Sequence, residues 1–139
     1  MNDFRLRILD TDTLSAYHRG HAGVIARFSA LPLALRAITV VTAEEVLRGR
    51  FAQINQAKKT EKLILAYDFL REAVVKLSHI RILRFDESAA ARYERIKHLK
   101  SRVGTLDLRI AAIALSNNGI LVTANQHHFR QVPELTTED

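Results

Sequence analysis

The stretch Ile8-Leu9-Asp10-Thr11-Asp12-Thr13-Leu14-Ser15 (ILDTDTLS) joins a short apolar run to a segment with helical spacing, and two aspartates stand at the join. Upstream, residues 4–9 alternate polar and apolar side chains, which predicts a strand. Asp10 is therefore expected at the carboxyl end of a strand. The two aspartates either begin an active site or only end the strand and cap the next helix. The rest of the chain decides between these roles.

Strands and helices are predicted to alternate along the whole chain. β-branched residues at 38–41 predict a buried strand, and Thr42 followed by Glu45 predicts a helix opened by a capping box. The other predicted elements are broken helical spacing at 13–30, helix at 51–77, a strand at 80–85, helices at 87–100 and 106–117, a strand at 120–122 and a last short strand near Leu135. Asp86 is the expected N-cap of the first of these later helices, and Gly119 the expected end of the second. Such alternation predicts an α/β domain with a mostly parallel sheet.

The composition bounds the classes of function. The chain has 139 residues, which suits a single domain spanning residues 1–139, and it has no cysteine, which excludes disulfides and thiolate chemistry. The sequence shows no signal peptide or membrane span, so we expect a cytoplasmic protein that does not enter a membrane. A formal net charge of +6 favours a polyanionic partner, with solubility alone as the alternative.

Acidic residues follow two of the predicted strands, and another begins a helix. Because the carboxyl ends of parallel strands share one edge of a sheet, we expect Asp10, Glu45 and Asp107 to converge there. Clustered carboxylates repel each other unless a cation or protons intervene, and Mg²⁺ or Mn²⁺ prefers oxygen ligands. With a basic surface, this predicts phosphodiester hydrolysis by a metal-activated water. Each acid also has a structural alternative as an N-cap, a capping-box partner or a residue at a helix N-terminus.

Four segments, taken in order, resemble the conserved blocks of PIN-domain proteins. LDTDTLS at 9–15 resembles the opening block LDTNxLS, and TAEEVLRG at 42–49 resembles the second block, in which a glutamate lies four residues before a glycine. GTLDLRIAAIAL at 104–115 resembles GxxDxxIAAxA, and LVTANQHHFRQVPEL at 121–135 resembles TxNxxDFxxVPGL. The resemblance covers most of the chain and points to the VapC-type branch, the toxin ribonucleases of bacterial toxin–antitoxin pairs.

This resemblance implies a PIN-like three-layer α/β/α fold, with about four or five strands and helices on both faces of the sheet. It also implies an endoribonuclease, a hydrolase that depends on Mg²⁺ or Mn²⁺ and cuts a transfer RNA or another structured RNA. The implied catalytic and metal-binding carboxylates are Asp10, Glu45 and Asp107; the implied supporting residues are Thr11, Thr123 and Asn125. An antitoxin that blocks the acidic hollow and a homodimer are the implied protein partners.

The sequence departs from the family pattern at two positions. Asp12 stands where the family usually has asparagine, and it either adds a fourth acid or, as we expect, caps the helix. His128 stands before Phe129, where the family usually has an acid. A neutral imidazole there either binds a metal, hydrogen-bonds a water or has no role. The alternative function is therefore a catalytically weakened or inactive PIN-like domain that binds RNA or a partner without cutting it.

Two basic groups and one apolar seam are candidate contact surfaces. The basic groups are Arg48, Arg50, Lys58, Lys59 and Lys62, and Arg92, Arg95, Lys97, Lys100 and Arg102. They either hold RNA phosphates or form solvated helix faces, and few aromatic residues accompany them, so we expect readout of RNA by shape rather than by base stacking. The seam has heptad-like spacing, which core packing or a partner surface explains, and it consists of Leu63, Tyr67, Leu70, Val74 and Leu77.

Overall fold

The sheet has five strands, all parallel. The computed structural model describes residues 3–139. The strands are β1 (Arg7–Leu9), β2 (Arg36–Thr39), β3 (Arg81–Leu83), β4 (Ile120–Val122) and β5 (Thr136–Glu138), in the order β3-β2-β1-β4-β5. The chain builds outward from β1 to β3 and then adds β4 and β5 on the other side of β1. Parallel α/β sheets place their sites at the carboxyl ends of strands where the order reverses, which here is beside β1.

Helices cover both faces of this sheet. They are α1 (Thr11–His18), α2 (Ala22–Ser29), α3 (Val40–Gln56), α4 (Thr60–Leu77), α5 (Glu87–Ile96), α6 (Lys100–Val103), α7 (Thr105–Ser116) and α8 (Gln126–Phe129). Ile8 packs in a cluster with residues of α5, α6 and α7, whereas Leu9 packs in a second cluster with residues of α1, α2 and α4. Since successive side chains of a strand point to opposite faces, the sheet is the middle of three layers. The predicted α/β/α fold is confirmed.

The junction after β2 differs from the prediction. The strand ends at Thr39, two residues earlier than expected, and α3 begins at Val40. Thr39 is the N-cap, because its Oγ1 accepts a hydrogen bond of 3.1 Å from the backbone N–H of Thr42. The predicted capping box between Thr42 and Glu45 is therefore wrong, and the Glu45 side chain is not used to cap the helix.

The long helical region is a hairpin of α3 and α4, separated at residues 57–59. The buried side chains of α4 are Ala66, Ala73 and Leu77. Tyr67 is 54% exposed and Val74 is 52% exposed. Core packing therefore does not account for most of the heptad-like seam, because these side chains face outward. Among residues 3–139, every helix is too short or too polar to cross a lipid bilayer.

Gly119 has a different structural role from the predicted one. Asn118, with φ of 49°, follows α7 in the left-handed conformation that was expected of the glycine. A Cβ at Gly119 would lie 2.6 Å from Cδ1 of Ile8, closer than packing allows. Gly119 therefore permits the chain to approach β1 as it enters β4. The predicted cap at Asp86 is confirmed, since its Oδ1 accepts from the N–H of Ala89 at 3.0 Å.

Candidate active site

Asp10 lies at the carboxyl end of β1, in the centre of the sheet. Its backbone N–H donates to the carbonyl of Val122 in β4 at 3.1 Å, and the residue is only 8% exposed. Its Oδ1 accepts a hydrogen bond of 2.9 Å from the N–H of Thr13, which makes Asp10 the N-cap of α1. Asp12 lies in the first turn, so the prediction that Asp12 caps this helix is wrong. Within residues 3–139, Oδ2 of Asp10 has no hydrogen-bond partner, and this oxygen is available to a ligand.

Glu45 is held by a row of threonine hydroxyls. Oγ1 of Thr11 lies 2.7 Å from Oε1 of Glu45 and 3.1 Å from Oγ1 of Thr42. An ionised carboxylate only accepts, so Thr11 donates to Glu45 and Thr42 donates to Thr11. Thr39 and Thr42 are completely buried, and Thr39 hydrogen-bonds to Thr42 on the side away from Glu45. Thr11 was predicted to hold an acid, and it contacts Glu45. The support that Thr39 and Thr42 give to this contact was not predicted, although their spacing across a strand–helix junction is visible in the sequence.

Asp107 lies in the first turn of α7 and is held by His128 from α8. Nε2 of His128 lies 2.7 Å from the carbonyl oxygen of Val103 and 3.1 Å from Oδ2 of Asp107. A carbonyl oxygen only accepts, so Nε2 carries a proton and donates to both oxygens. In this arrangement Nε2 has no lone pair for a metal, and His128 acts as a donor that positions Asp107.

The carboxylates are close enough to sense each other's charge. Burial raises the pKa of Asp107, the hydrogen bond from His128 opposes this, and the negative charges of Asp10 and Asp12 raise it further. Burial also raises the pKa of Glu45, the hydrogen bond from Thr11 opposes this, and the charge of Asp107 adds to the rise. The structure therefore brings Asp10, Glu45 and Asp107 to one region, and Asp12 adds its charge there.

The donors in this region fit a hard divalent cation. No group of three or more acidic or histidine side chains in the described part of the chain already forms a cage for an ion. Mg²⁺, however, usually keeps several waters and needs only one or two carboxylates from the protein. Burial raises the pKa values of Glu45 and Asp107, and repulsion from neighbouring carboxylates adds to the rise. A cation would stabilise the ionised form of such groups, and Asp10, Glu45 and Asp107 would hold it.

The two other predicted supporting residues lie in the loop after β4. Thr123 is buried, and its Oγ1 accepts from the N–H of Asn125 at 3.0 Å. The N–H of Thr123 donates to the carbonyl of Glu138 at 2.9 Å. Within residues 3–139, neither side chain hydrogen-bonds to Asp10, Glu45 or Asp107. Thr123 shapes the loop, and the predicted role of both residues at an attacking water stays a prediction.

Comparison with known proteins places this geometry in a family. A family model described as "PIN domain" matches residues 7–135. The chain belongs to the PIN domain family. It is also similar to the protein named Ribonuclease VapC1 from Haemophilus influenzae (strain R2866), with 27% identity over 138 residues that cover 95% of this chain and 96% of the relative.

Several solved structures share the fold of this chain. VapBC-1 from nontypeable Haemophilus influenzae has a TM-score of 0.76 at 22% identity, covering 96% of this chain and 97% of the other. A toxin–antitoxin complex from Klebsiella pneumoniae has a TM-score of 0.69 at 21% identity, covering 94% and 96%. At these identities the likeness concerns the fold alone.

Mn²⁺ is expected to stabilise this PIN domain against heat in a pH-dependent way. Because the folded-state pKa values of Glu45 and Asp107 are raised, their contribution to stability is present at acid pH and is lost as the pH rises through those values. At neutral pH the ionised acids repel each other, and a cation present at 100 times its dissociation constant would add about 2.7 kcal/mol, or roughly 10 °C in Tm.

Thermal unfolding with Mn²⁺ or EDTA at pH 7.5 and pH 4.5 tests this expectation. The Mn²⁺ shift should shrink at the lower pH, where protons compete for the carboxylates. Asp107→Asn should lose most of the shift at pH 7.5. An equal shift at both pH values, or in the Asp107→Asn protein, would contradict the placement of the cation at these acids.

Proposed function

We propose that this PIN domain is an endoribonuclease dependent on Mg²⁺ or Mn²⁺, and the toxin of a type II toxin–antitoxin pair. The observation that carries the proposal is the proximity of three carboxylates: Thr11, next to Asp10, donates to Glu45 at 2.7 Å, and the charge of Asp10 adds to the burial that raises the pKa of Asp107. The similarity to a protein named Ribonuclease VapC1 supports the nuclease activity. The test is cleavage of structured RNA by the purified protein with Mn²⁺, and its absence with EDTA.

The side chains would divide the chemistry as follows. A bound Mg²⁺ or Mn²⁺ supplies a water of lowered pKa and neutralises charge on a phosphoryl oxygen. Asp10 offers Oδ2, while its Oδ1 is fixed by the Thr13 amide and keeps the side chain in place. Thr11 orients Glu45, and His128 orients Asp107. These partners hold the acids in position, which reduces the reorganisation needed when the reaction begins.

The RNA would be held by basic side chains that lack an acidic partner. In the first basic group, Arg48 pairs with Glu44, while Lys58, Lys59 and Lys62 at the hairpin form no salt bridge with any residue of 3–139. In the second group, Lys97 pairs with Glu94 at 2.5 Å and Arg92 with Glu134 at 3.6 Å. In the described part of the chain, Arg95, Lys100 and Arg102 of this group form no salt bridge. Such cations bind phosphates, which supports an RNA substrate. We propose that this substrate is a transfer RNA or another structured RNA in the cytoplasm.

An antitoxin would be held beside the acids. A mainly apolar cavity of about 400 Å³ lies between the sheet and helices α1 and α2, and its lining includes Leu9, Phe28 and Val122. Asp12 and Glu138 also line it. This combination suits a protein segment that offers an apolar side chain and an arginine, since guanidinium groups pair well with carboxylates. A segment seated there would cover the approach to Asp10.

The outward seam of α4 would form the homodimer. Leu70 is partly buried, so Val74→Glu tests the surface with less effect on the fold. We expect wild-type protein to have twice the chain mass by light scattering and Val74→Glu protein to have the chain mass, because a buried unpaired charge opposes association. Leu65→Glu, at a half-exposed position on the other side of α4, is the control and should keep the dimer. A Val74→Glu protein with unchanged mass and an intact fold would remove this interface.

The second candidate function is a domain that binds RNA or a partner without cutting it. The contact of His128 with Asp107 favours it, because a donor occupies the position where the family usually has an acid. RNA cleavage in the presence of Mn²⁺ distinguishes the two functions. RNA that stays intact with Mn²⁺ and inhibitor-free protein, yet is still bound, would support this candidate and reject the nuclease.

A further inference from the structure

An open groove of about 590 Å³ lies beside the acidic region, on the side of β3. Its walls come from the first two turns of α3 and α7, the segments that also carry Glu45 and Asp107, and from α5. Its volume falls in the range of small-molecule sites. Asp10, Glu45 and Asp107 do not line the groove, but Glu44 and Arg109, which do, lie one and two positions from Glu45 and Asp107 in the same helices.

Two aromatic rings and a guanidinium form one wall of this groove. The rings of Phe85 and Tyr93 meet edge to face, with centroids 6.1 Å apart. The guanidinium carbon of Arg109 lies 5.8 Å from the centre of the Tyr93 ring. Phe85 is 40% exposed, and Arg109 forms no salt bridge with a carboxylate of residues 3–139. An exposed ring next to a free cation is the usual combination for stacking a nucleobase and holding its phosphate.

Two carboxylates on the groove have their charge balanced nearby. Glu44 pairs with Arg48, and Glu94 pairs with Lys97 at 2.5 Å. Both still offer oxygens that accept hydrogen bonds, and carboxylates read the amino groups of bases in this way. The groove therefore combines a stacking ring, acceptors for a base edge and a cation.

We propose that this groove binds one unpaired nucleobase of an RNA, next to the phosphodiester at the acids. Phe85 stacks on the base, Arg109 contacts the adjoining phosphate, and Glu94 accepts from the amino edge. This inference deepens the proposed ribonuclease function and rests on it. It differs from the sequence-based expectation that RNA is read by shape rather than by base stacking. The rings of Phe85 and Tyr93, eight positions apart in the chain, meet in the fold.

The test separates binding from cutting. Binding of a fluorescein-labelled RNA hairpin with an unpaired loop is measured by anisotropy with Mn²⁺, in an Asp10→Asn background that keeps the RNA intact under the proposed function. Phe85→Ala is expected to weaken binding by roughly fivefold to a hundredfold, the range of one base–aromatic stacking contact. Phe85→Trp should retain it. Phe4→Ala is the matched control, since Phe4 is 74% exposed and precedes β1, whereas Phe85 follows β3 at the carboxyl end of its strand.

Two further measurements complete the experiment. RNA cleavage is measured for the same Phe85 variants with the wild-type Asp10 retained, and their mass is measured by light scattering. Wild-type cleavage with equal RNA binding by Phe85→Ala and Phe4→Ala would overturn the groove and leave the nuclease standing. Absence of wild-type cleavage with weakened binding by Phe85→Ala would overturn the nuclease and leave the groove as a base-binding site. Loss of the dimer in Phe85→Ala protein would overturn the groove in favour of a contact with a second copy of the chain.

Discussion

Asp10→Asn is expected to slow Mn²⁺-dependent RNA cleavage by at least roughly a hundredfold, with little change in the free energy of unfolding. Asparagine caps helices as well as aspartate does, so its side-chain oxygen can keep the hydrogen bond from the Thr13 amide. The amide lacks the negative charge with which Oδ2 would hold a cation. Mutation of residues that hydrogen-bond to a metal ligand typically lowers metal affinity or activity by about 10–100-fold. Loss of the ligand itself should therefore lower activity further.

Two further variants separate the cap from the metal at this position. Asp10→Ala should lose cleavage and also about 1 kcal/mol of stability, measured by urea unfolding, because the cap is gone. Asp86→Ala removes the N-cap of α5, where Oδ1 accepts from Ala89 at 3.0 Å, and should lose similar stability while retaining kcat. Asp10→Asn protein that is folded and cuts RNA at the wild-type rate would reject Asp10 as a metal ligand.

His128→Asp is expected to lower the Mn²⁺ concentration needed for half-maximal binding by at least about tenfold, equivalent to about 1.4 kcal/mol. The substitution places a fourth carboxylate beside Asp107, where the family usually has one. It also removes the hydrogen bond from Nε2 to Asp107 and leaves the Val103 carbonyl without that donor. The metal-free protein should therefore be destabilised by about 1–3 kcal/mol, and Mn²⁺ should restore much of this.

His127→Asp is the matched control for charge alone. His127 is exposed and adjacent, and it has no hydrogen bond to Asp107. Titration calorimetry with Mn²⁺ measures both proteins, and thermal unfolding with EDTA measures the cost in the free state. Equal gains in the two variants would mean that general charge, rather than the position beside Asp107, controls affinity. An unchanged midpoint for His128→Asp would show that this position lies outside the metal site.

Local patterns in the sequence predicted most of the elements and the four family blocks. The alternation of strands and helices, the cap at Asp86 and the strand at 120–122 were confirmed. These features depend on residues that are near neighbours in the chain, where side-chain period and capping chemistry operate. The predicted proximity of the acids followed from the predicted parallel strands, because the carboxyl ends of parallel strands lie along one edge of the sheet.

Capping was predicted less well, because sequence alone offers several equivalent partners. Thr39 and Thr42 are both good caps, and Asp10 and Asp12 are both good caps. Burial of Val41 and Thr42 against the core starts α3 earlier than the capping box suggested. Hydrogen bonding between β1 and β4 fixes Asp10 at the edge, and its Oδ1 then meets the Thr13 amide.

The sequence by itself determined the α/β alternation and the family blocks, and it predicted the three acids. Only the tertiary structure decided how each acid is held: Thr42 and Thr11 fix Glu45, and His128 donates to Asp107 across 21 positions of the chain. It also decided that Phe85 and Tyr93 form a wall beside the acids. The physical reason is that periodicity and capping act within a few residues, whereas these contacts exist only once the parallel sheet brings distant helix ends to one edge.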